Sequence, residues 1–248
     1  MLDKIKKIEE LKNKLNGLRP LSYDELERLK EEFMIEYTYD SNAIEGSTLS
    51  INETFALLFD TKHCNIENAS PREIYEAINH KYALNFVLNE LIKKENLEAN
   101  DIIHINELIN RNIKDTSGYR KVNVRIRGSQ DIPPNANQIP MKMLYFIDNY
   151  NRYPLQSEDD VFYKIAKFHI EFEHIHPFED GNGRTGRLLI NYEMLKNNLV
   201  PIVIPIDRRQ EYFGFISNYD EEGLKNLLKE LSSIEKDRIE KFKNMLQY

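Results

Sequence analysis

The run His176-Pro177-Phe178-Glu179-Asp180-Gly181-Asn182-Gly183-Arg184-Thr185-Gly186-Arg187 gathers an imidazole, a hard oxygen donor, two guanidiniums and a glycine-rich turn in one short stretch. Pro177 disfavours helix at His176, and the glycines permit a tight loop. Leu188, Leu189, Tyr192 and Leu195 then fall at helical spacing. A loop opening a helix in this way presents free backbone N–H groups at the positive end of the helix dipole, a ready seat for phosphate. Arg184 and Arg187 are neighbours on the first turn, where two guanidiniums oppose the dipole unless an anion joins them. Asp180 suits Mg²⁺ bridging two phosphates. His176, at the loop entrance, can take a proton near neutral pH. A base, a metal donor, an anion nest and two arginines together describe nucleotidyl transfer.

Helices must position these groups. Val161, Ile165, Phe168, Phe172 and Ile175 recur at helical spacing, so a buried helix delivers the chain to His176. Upstream, Ser22-Tyr23-Asp24-Glu25 reads as a capping box after a break at Asn16–Pro20, opening a helix that runs to Glu45 and stops at Gly46. Ser50-Ile51-Asn52-Glu53 and Ser70-Pro71-Arg72-Glu73 repeat the box, and Asn100 caps a further helix. Helices resume near Pro140, Ser157, Gly183 and Asp207, and from about Gly223. One stretch differs: Val122, Val124 and Ile126 alternate with Asn123, Arg125 and Arg127 between Gly118 and Gly128, and Pro133-Pro134 follows. That period of two predicts a short β-hairpin or extended flap in an otherwise all-α chain. Arg125 and Arg127 on it either contact a target or are solvated.

The chain has 248 residues, 41% hydrophobic and 30% charged, enough for one sizeable core with a helical appendage. A net charge of −7 argues against nucleic acid as the main ligand. No apolar run approaches the roughly 20 residues of a membrane span, and residues 1–15 read as a charged amphipathic helix rather than a secretory leader. The single cysteine, Cys64, excludes an internal disulfide and suits a reducing cytoplasm; it reads as inert. His169 and His174 lie at different angles of one helix and read as ordinary polar or partly buried residues rather than metal ligands. Tyr212, Phe213 and Ile216 either line a purine pocket or pack in the core. Leu224, Leu227, Leu228 and Leu231 serve either internal packing or a contact between two copies.

The run from His176 to Arg187 resembles the signature of the Fic (Fido) family, His-x-Phe-x-(Asp/Glu)-Gly-Asn-Gly-Arg-x-x-Arg, with every defined position matched. Gly118-Tyr119-Arg120 through Pro134 is similar to the family's substrate-docking flap, and the likeness spans roughly 97–237. Residues 1–96 then form an accessory region, and 238–248 end the last helix. The resemblance implies a Fic-type helical bundle that transfers AMP from ATP to Ser, Thr or Tyr hydroxyls of proteins, its own included. It implies His176 as base, Phe178 as core anchor and Asp180 as ligand of Mg²⁺ between the α- and β-phosphates. Gly181, Asn182 and Gly183 would supply the anion hole, with Asn182 touching the α-phosphate. Arg184 would hold the β-phosphate and Arg187 the γ-phosphate. Gly181 favours AMP transfer, because a phosphorylating branch of the family departs from the motif near this position.

Ser41-Asn42-Ala43-Ile44-Glu45-Gly46 is similar to the family's inhibitory pattern, (Ser/Thr)-x-x-x-Glu-(Gly/Asn). It implies that Glu45 pairs with Arg187 in the place of the γ-phosphate, with Ser41 holding the helix end. The alternatives are removal of AMP by water that Glu45 activates, transfer of UMP or phosphocholine, and a non-catalytic nucleotide- or partner-binding module.

Overall fold

Serine-led caps set the first three helices. The computed structural model describes residues 22–60, 62, 66, 69–115, 117–126 and 131–245. Helix α1 (Tyr23–Glu45) starts where the Ser22 hydroxyl accepts the Glu25 N–H and the Glu25 carboxylate accepts the Ser22 N–H in return. It stops at Gly46, whose φ of 103° closes the last turn in the left-handed region. Ser50 and Glu53 open α2 (Ile51–Phe59) with the same reciprocal bonds, as do Ser70 and Glu73 at α3 (Pro71–Asn89). Helix α4 (Ala99–Asn110) begins one residue before the expected cap at Asn100, because the Asp101 carboxylate accepts the Glu98 N–H. Then come α5 (Ile139–Arg152), α6 (Glu158–Ile175), α7 (Asn182–Lys196), α8 (Arg209–Ser217) and α9 (Glu221–Met245).

Helices α6 and α7 form the spine between two apolar clusters. Phe168, Phe172 and Ile175 of α6 join Leu188, Leu189 and Tyr192 of α7 in one. Val161, Phe162, Ile165 and Ile170 of α6 join Ile190 and Met194 in the other. Helix α1 enters both, through Phe33, Met34 and Tyr37 on one side and Ile44 on the other. Residues on either side of position 97 share one core: Val87 and Leu91 pack with Leu97 and Ile102. All four leucines of α9 are buried in the second cluster, so their apolar surface is spent within the chain.

The β-hairpin expected at 118–134 is not formed. No strand occurs among the described residues, and the arms before and after the 127–130 segment run without a ladder. Pro133 and Pro134 have no N–H to donate to one. The Arg120 side chain, 3% exposed, ties the arms instead. Its Nη1 donates to Val122 O (2.9 Å), its Nη2 to Pro134 O and its Nε to His176 O (2.7 Å), while its backbone N–H donates to Pro177 O (2.9 Å). The flap is therefore held against the loop that follows α6. The expectations for residues 1–15, Cys64, Arg127 and Gly128 fall outside the described residues. No described helix is long and apolar enough to cross a membrane.

Candidate active site

Helix α6 ends at Ile175, and His176 turns the chain with φ 49°, its N–H still bonded to Phe172 O (2.9 Å). Phe178, 1% exposed, plugs the loop into the core between Tyr119 and Phe172. The Asn182 amide then staples the loop: its Oδ1 accepts the Phe178 N–H and its Nδ2 donates to Phe178 O, both at 2.9 Å. Asn106 and Asn110 of α4 donate to Asp180 O at 2.9 and 3.2 Å. Gly181 sits beneath them with φ 78°, where a Cβ would lie 3.0 Å from each of their amide nitrogens. Only glycine fits that turn. The backbone N–H groups of Asn182, Gly183 and Arg184 make no hydrogen bond among the described residues. These three residues line a cleft of about 430 Å³ with His176, Asp180, Glu45 and Arg72, a volume in the range of small-molecule sites.

The orientation of His176 follows from its partner. A carbonyl can only accept, so Nδ1 carries the proton given to Glu173 O (3.2 Å) and Nε2 is left as the basic nitrogen. Burial pushes the imidazole below its ordinary 6.5, and the Arg120 charge adds to this, against the pull of the Glu173 carbonyl, Glu45 and Asp180. His176 is thus neutral at pH 7. Activity that needs this base should climb along an acid limb centred below 6.5 and stay flat through neutrality. A profile of kcat/KM against pH checks it, and a limb centred above 6.5 contradicts it.

Charged partners surround the turn. Arg187, 2% exposed, donates from Nε to Ser41 Oγ (2.9 Å) and from Nη2 to Ser41 O (2.8 Å) and Glu45 Oε1 (2.7 Å). Its Nη1 is buried without a hydrogen-bond partner among the described residues. Burial raises the Glu45 carboxyl, but the Arg187 guanidinium outweighs it, helped by Arg184 and Arg209, and holds Glu45 below the usual carboxylate range. The carboxylate lies so close over the α7 N-terminus that a Cβ on Gly183 would be 2.3 Å from Oε1. The Glu45 carboxylate thus lies beside the first turn of α7 without bonding its free N–H groups. Arg184, 3% exposed, meets Glu76 Oε1 (3.1 Å) and Asp180 Oδ1 (3.4 Å). Asp180 Oδ2 accepts from Arg72 Nη2 at 2.5 Å.

Among the described residues, no three His, Cys, Asp or Glu side chains are grouped to hold a metal unaided. That donor set fits Mg²⁺, which is commonly held by one or two carboxylates together with substrate phosphates and waters. Asp180 lines the cleft together with the carboxylates of Glu45, Glu73, Glu76 and Glu179.

Residues 96–194 match the model of the Fic/DOC family. The chain carries a Fic/DOC domain. It is 29% identical over 221 residues to the protein adenylyltransferase Fic of Nematostella vectensis, covering 88% of this chain and 49% of that protein. It is 30% identical over 193 residues to the protein of the same name in Drosophila willistoni, covering 77% of this chain and 38% of that one. The chain thus spans half or less of the length of these curated relatives. A Fic domain containing signalling protein of Bacteroides thetaiotaomicron superposes with a TM-score of 0.74 at 26% identity, over 91% of this chain and 93% of that one. Fic-1 of C. elegans shares the fold, with a TM-score of 0.75 at 23% identity over 98% and 71% of the two chains.

Within this Fic/DOC domain, His176, Asp180, Gly181, Asn182, Gly183 and Arg184 come together on the cleft, with Glu45 and Gly46 beside them. Arg187 and Ser41 lie buried directly behind. The Asn182 side chain is consumed by the loop, so only its backbone N–H faces an anion. Tyr212 and Phe213 are not on the cleft. Tyr212 is 0% exposed, with its hydroxyl on His169 Nε2 (2.7 Å), and Phe213 packs half-buried beneath the Arg209 guanidinium (4.8 Å). Of the two readings open for this segment, Tyr212 packs in the second core cluster, with Phe213 and Ile216 against it. His174 stacks on Tyr219 with centroids 3.8 Å apart and its Nε2 meets Ile216 O (2.8 Å), away from His169.

Arg72, Glu76, Arg120 and Glu173 contribute without having been singled out by their motifs. Arg72 had one signal, its place just inside a Ser-Pro cap. Burial lifts the Glu173 carboxyl to about 8, with Arg187 opposing and Glu45 reinforcing. A carboxyl raised from 4.5 stabilises the fold fully below 4.5 and loses that contribution as pH rises through about 8. Replacing Glu173 by glutamine should remove this alkaline loss. Unfolding midpoints measured near about pH 6 and about pH 9 should diverge for the parent and converge for the variant. Equal slopes would refute the assignment.

Proposed function

We propose that this chain transfers AMP from ATP to hydroxyl side chains of proteins, and that it rests with Glu45 holding Arg187. What carries the reading is that a basic imidazole nitrogen and the unbonded N–H groups of the α7 turn line the same cleft. In the productive arrangement the phosphates sit on that turn, with Arg184 at the β-phosphate and the spare Nη1 of Arg187 facing the γ-phosphate. His176 Nε2 removes the proton of the target hydroxyl, whose oxygen forms a bond to the α-phosphorus as the bond to pyrophosphate breaks. Asp180 would hold Mg²⁺, which neutralises charge on the phosphates when bound. Residues 97–237 form the transferring domain, with 41–46 of the preceding region as its inhibitor, and the flap 118–134 offers the target its docking edge beside His176.

The curated relatives' printed names, protein adenylyltransferase Fic, support this assignment. Intact-mass measurement after incubation with each nucleoside triphosphate tests it. One AMP increment per modified site is expected with ATP, carrying the α- but not the γ-phosphorus. An increment from another nucleotide alone, or none even after Glu45 is removed, would overturn it. One observation favours a second activity on the same site. Glu45 is ionised and 39% exposed at the cleft, placed to take a proton from water and return AMP from a modified protein. Loss of the increment from a purified AMP-modified target would show that activity.

A further inference from the structure

Three charged side chains of the loop–helix unit meet opposite charges from the region before residue 97, while Glu179 meets Lys114. Arg187 meets Glu45 at 2.7 Å, Arg184 meets Glu76 at 3.1 Å, and Asp180 meets Arg72 at 2.5 Å. The last two pairs close on each other. Arg72 Nε donates to Glu76 Oε1 at 3.0 Å, the same oxygen that faces Arg184, and Arg184 Nη2 lies 3.4 Å from Asp180. Two guanidiniums and two carboxylates thus form a closed ring, of which Asp180 is a member.

Nothing in the packing calls for Arg72. Its side chain is 54% exposed, and it lies on the first turn of α3, where a cation opposes the helix dipole. Its position makes sense toward Asp180. The turn that carries it is fixed by Glu73, whose carboxylate takes hydrogen bonds from Ser70 and from the Thr48 N–H (2.6 Å) and hydroxyl (2.8 Å).

We infer that Arg72 is a positioning residue that occupies the cation seat on Asp180, so that a divalent ion must displace it before the nucleotide's phosphates are seated. The inference rests on the reading of the site as one for Mg²⁺ and ATP, and it is separate from the Glu45 contact. A metal-free nucleotide brings only negative charge toward Asp180 and Glu76 and cannot release Arg72. An ion on Asp180 can, and Arg72 then keeps its bond to Glu76, one turn along α3.

The test uses the full chain carrying Glu45→Gly, alone and combined with Arg72→Ala or Arg72→Lys. ATP binding is measured by calorimetry across a Mg²⁺ series and in chelator. Mn²⁺ binding without nucleotide is read from loss of the free-ion electron paramagnetic resonance signal, with Asp180→Asn as control. Arg72→Ala should lower the half-saturating Mg²⁺ about two- to fivefold, the scale of a half-exposed ion pair. It should bind Mn²⁺ at correspondingly lower concentration, leave ATP binding in chelator no tighter, and keep the parent's unfolding midpoint. Arg72→Lys should fall between. Unchanged metal midpoints overturn the inference. So does weaker ATP binding at saturating Mg²⁺ in Arg72→Ala, which would make Arg72 a phosphate ligand. If Glu45→Gly itself binds no ATP, the nucleotide reading has failed, and the Mn²⁺ comparison still decides whether Arg72 guards Asp180.

Discussion

Glu45→Gly is expected to raise AMP incorporation on the order of ten- to hundredfold over the parent chain. Arg187 is buried to 2% exposure but Glu45 is 39% exposed, so solvent screens the pair in part and the lower end of that range is expected. A hydrogen bond to a charged group contributes about 1.5–3 kcal/mol, and each 1.4 kcal/mol is roughly tenfold in an equilibrium. Removing the carboxylate has two effects in the same direction. It clears the space over Gly183, where the proposed phosphates would sit, and it takes from a buried guanidinium its one carboxylate hydrogen bond among the described residues, which favours an anion there. Incorporation of label from α-labelled ATP measures the change. Equal incorporation by parent and variant would sink the inhibitory reading while leaving the transfer reading standing.

His176→Ala should depress transfer by roughly two to four orders of magnitude, the contribution of a positioned general base. The loss should fall on the chemical step, because no charge on the phosphate seat is altered. Nucleotide binding, measured in the Glu45→Gly background, should persist. His176 has φ 49°, a conformation that alanine adopts at a cost, so His176→Asn is the companion variant. Asparagine tolerates the left-handed region and offers no base. Both variants should be inactive, and the asparagine form should unfold close to the parent. An asparagine variant with full activity would remove His176 from the mechanism.

Local rules made most of the scaffold legible. Ser22, Ser50 and Ser70, each three residues before a glutamate, mark real helix starts, and Gly46 marks a real stop. The layout of the candidate site was legible for the same reason: His176 through Arg187 is one contiguous loop and helix start, so its geometry follows from neighbours in sequence. What escaped was long-range. Arg72 meets Asp180 across 108 positions and Arg120 meets His176 across 56, and no local pattern signals either pairing. The flap was misread because alternation of apolar and polar residues marks an extended chain, not a partner for its backbone. Here a single guanidinium supplied the bonds that a second strand would have made. Tyr212 shows the opposite ambiguity. An aromatic at helical spacing suits a pocket wall or a core, and only the burial of α8 against α6 decides.

Glu45 is the last residue of α1, held there by its bond to Arg187 and by the cap that follows it. The final turn is closed by the Gly46 N–H on Ala43 O (2.9 Å) and the Ser47 N–H on Asn42 O (3.0 Å). The next inward anchors, Ile44 at 0% and Ser41 at 2% exposure, are buried in the body of the protein. Withdrawing the carboxylate therefore means opening the cap at Gly46 and releasing Arg187, while Ile44 and the rest of the helix stay docked. Helix ends open at the low end of the local-unfolding scale, far below the cost of dislodging a packed element. On the reading proposed above, control at Glu45 is a matter of how often the helix terminus opens and releases Arg187, and amide exchange at Gly46 and Ser47 is the clock on which it can be read.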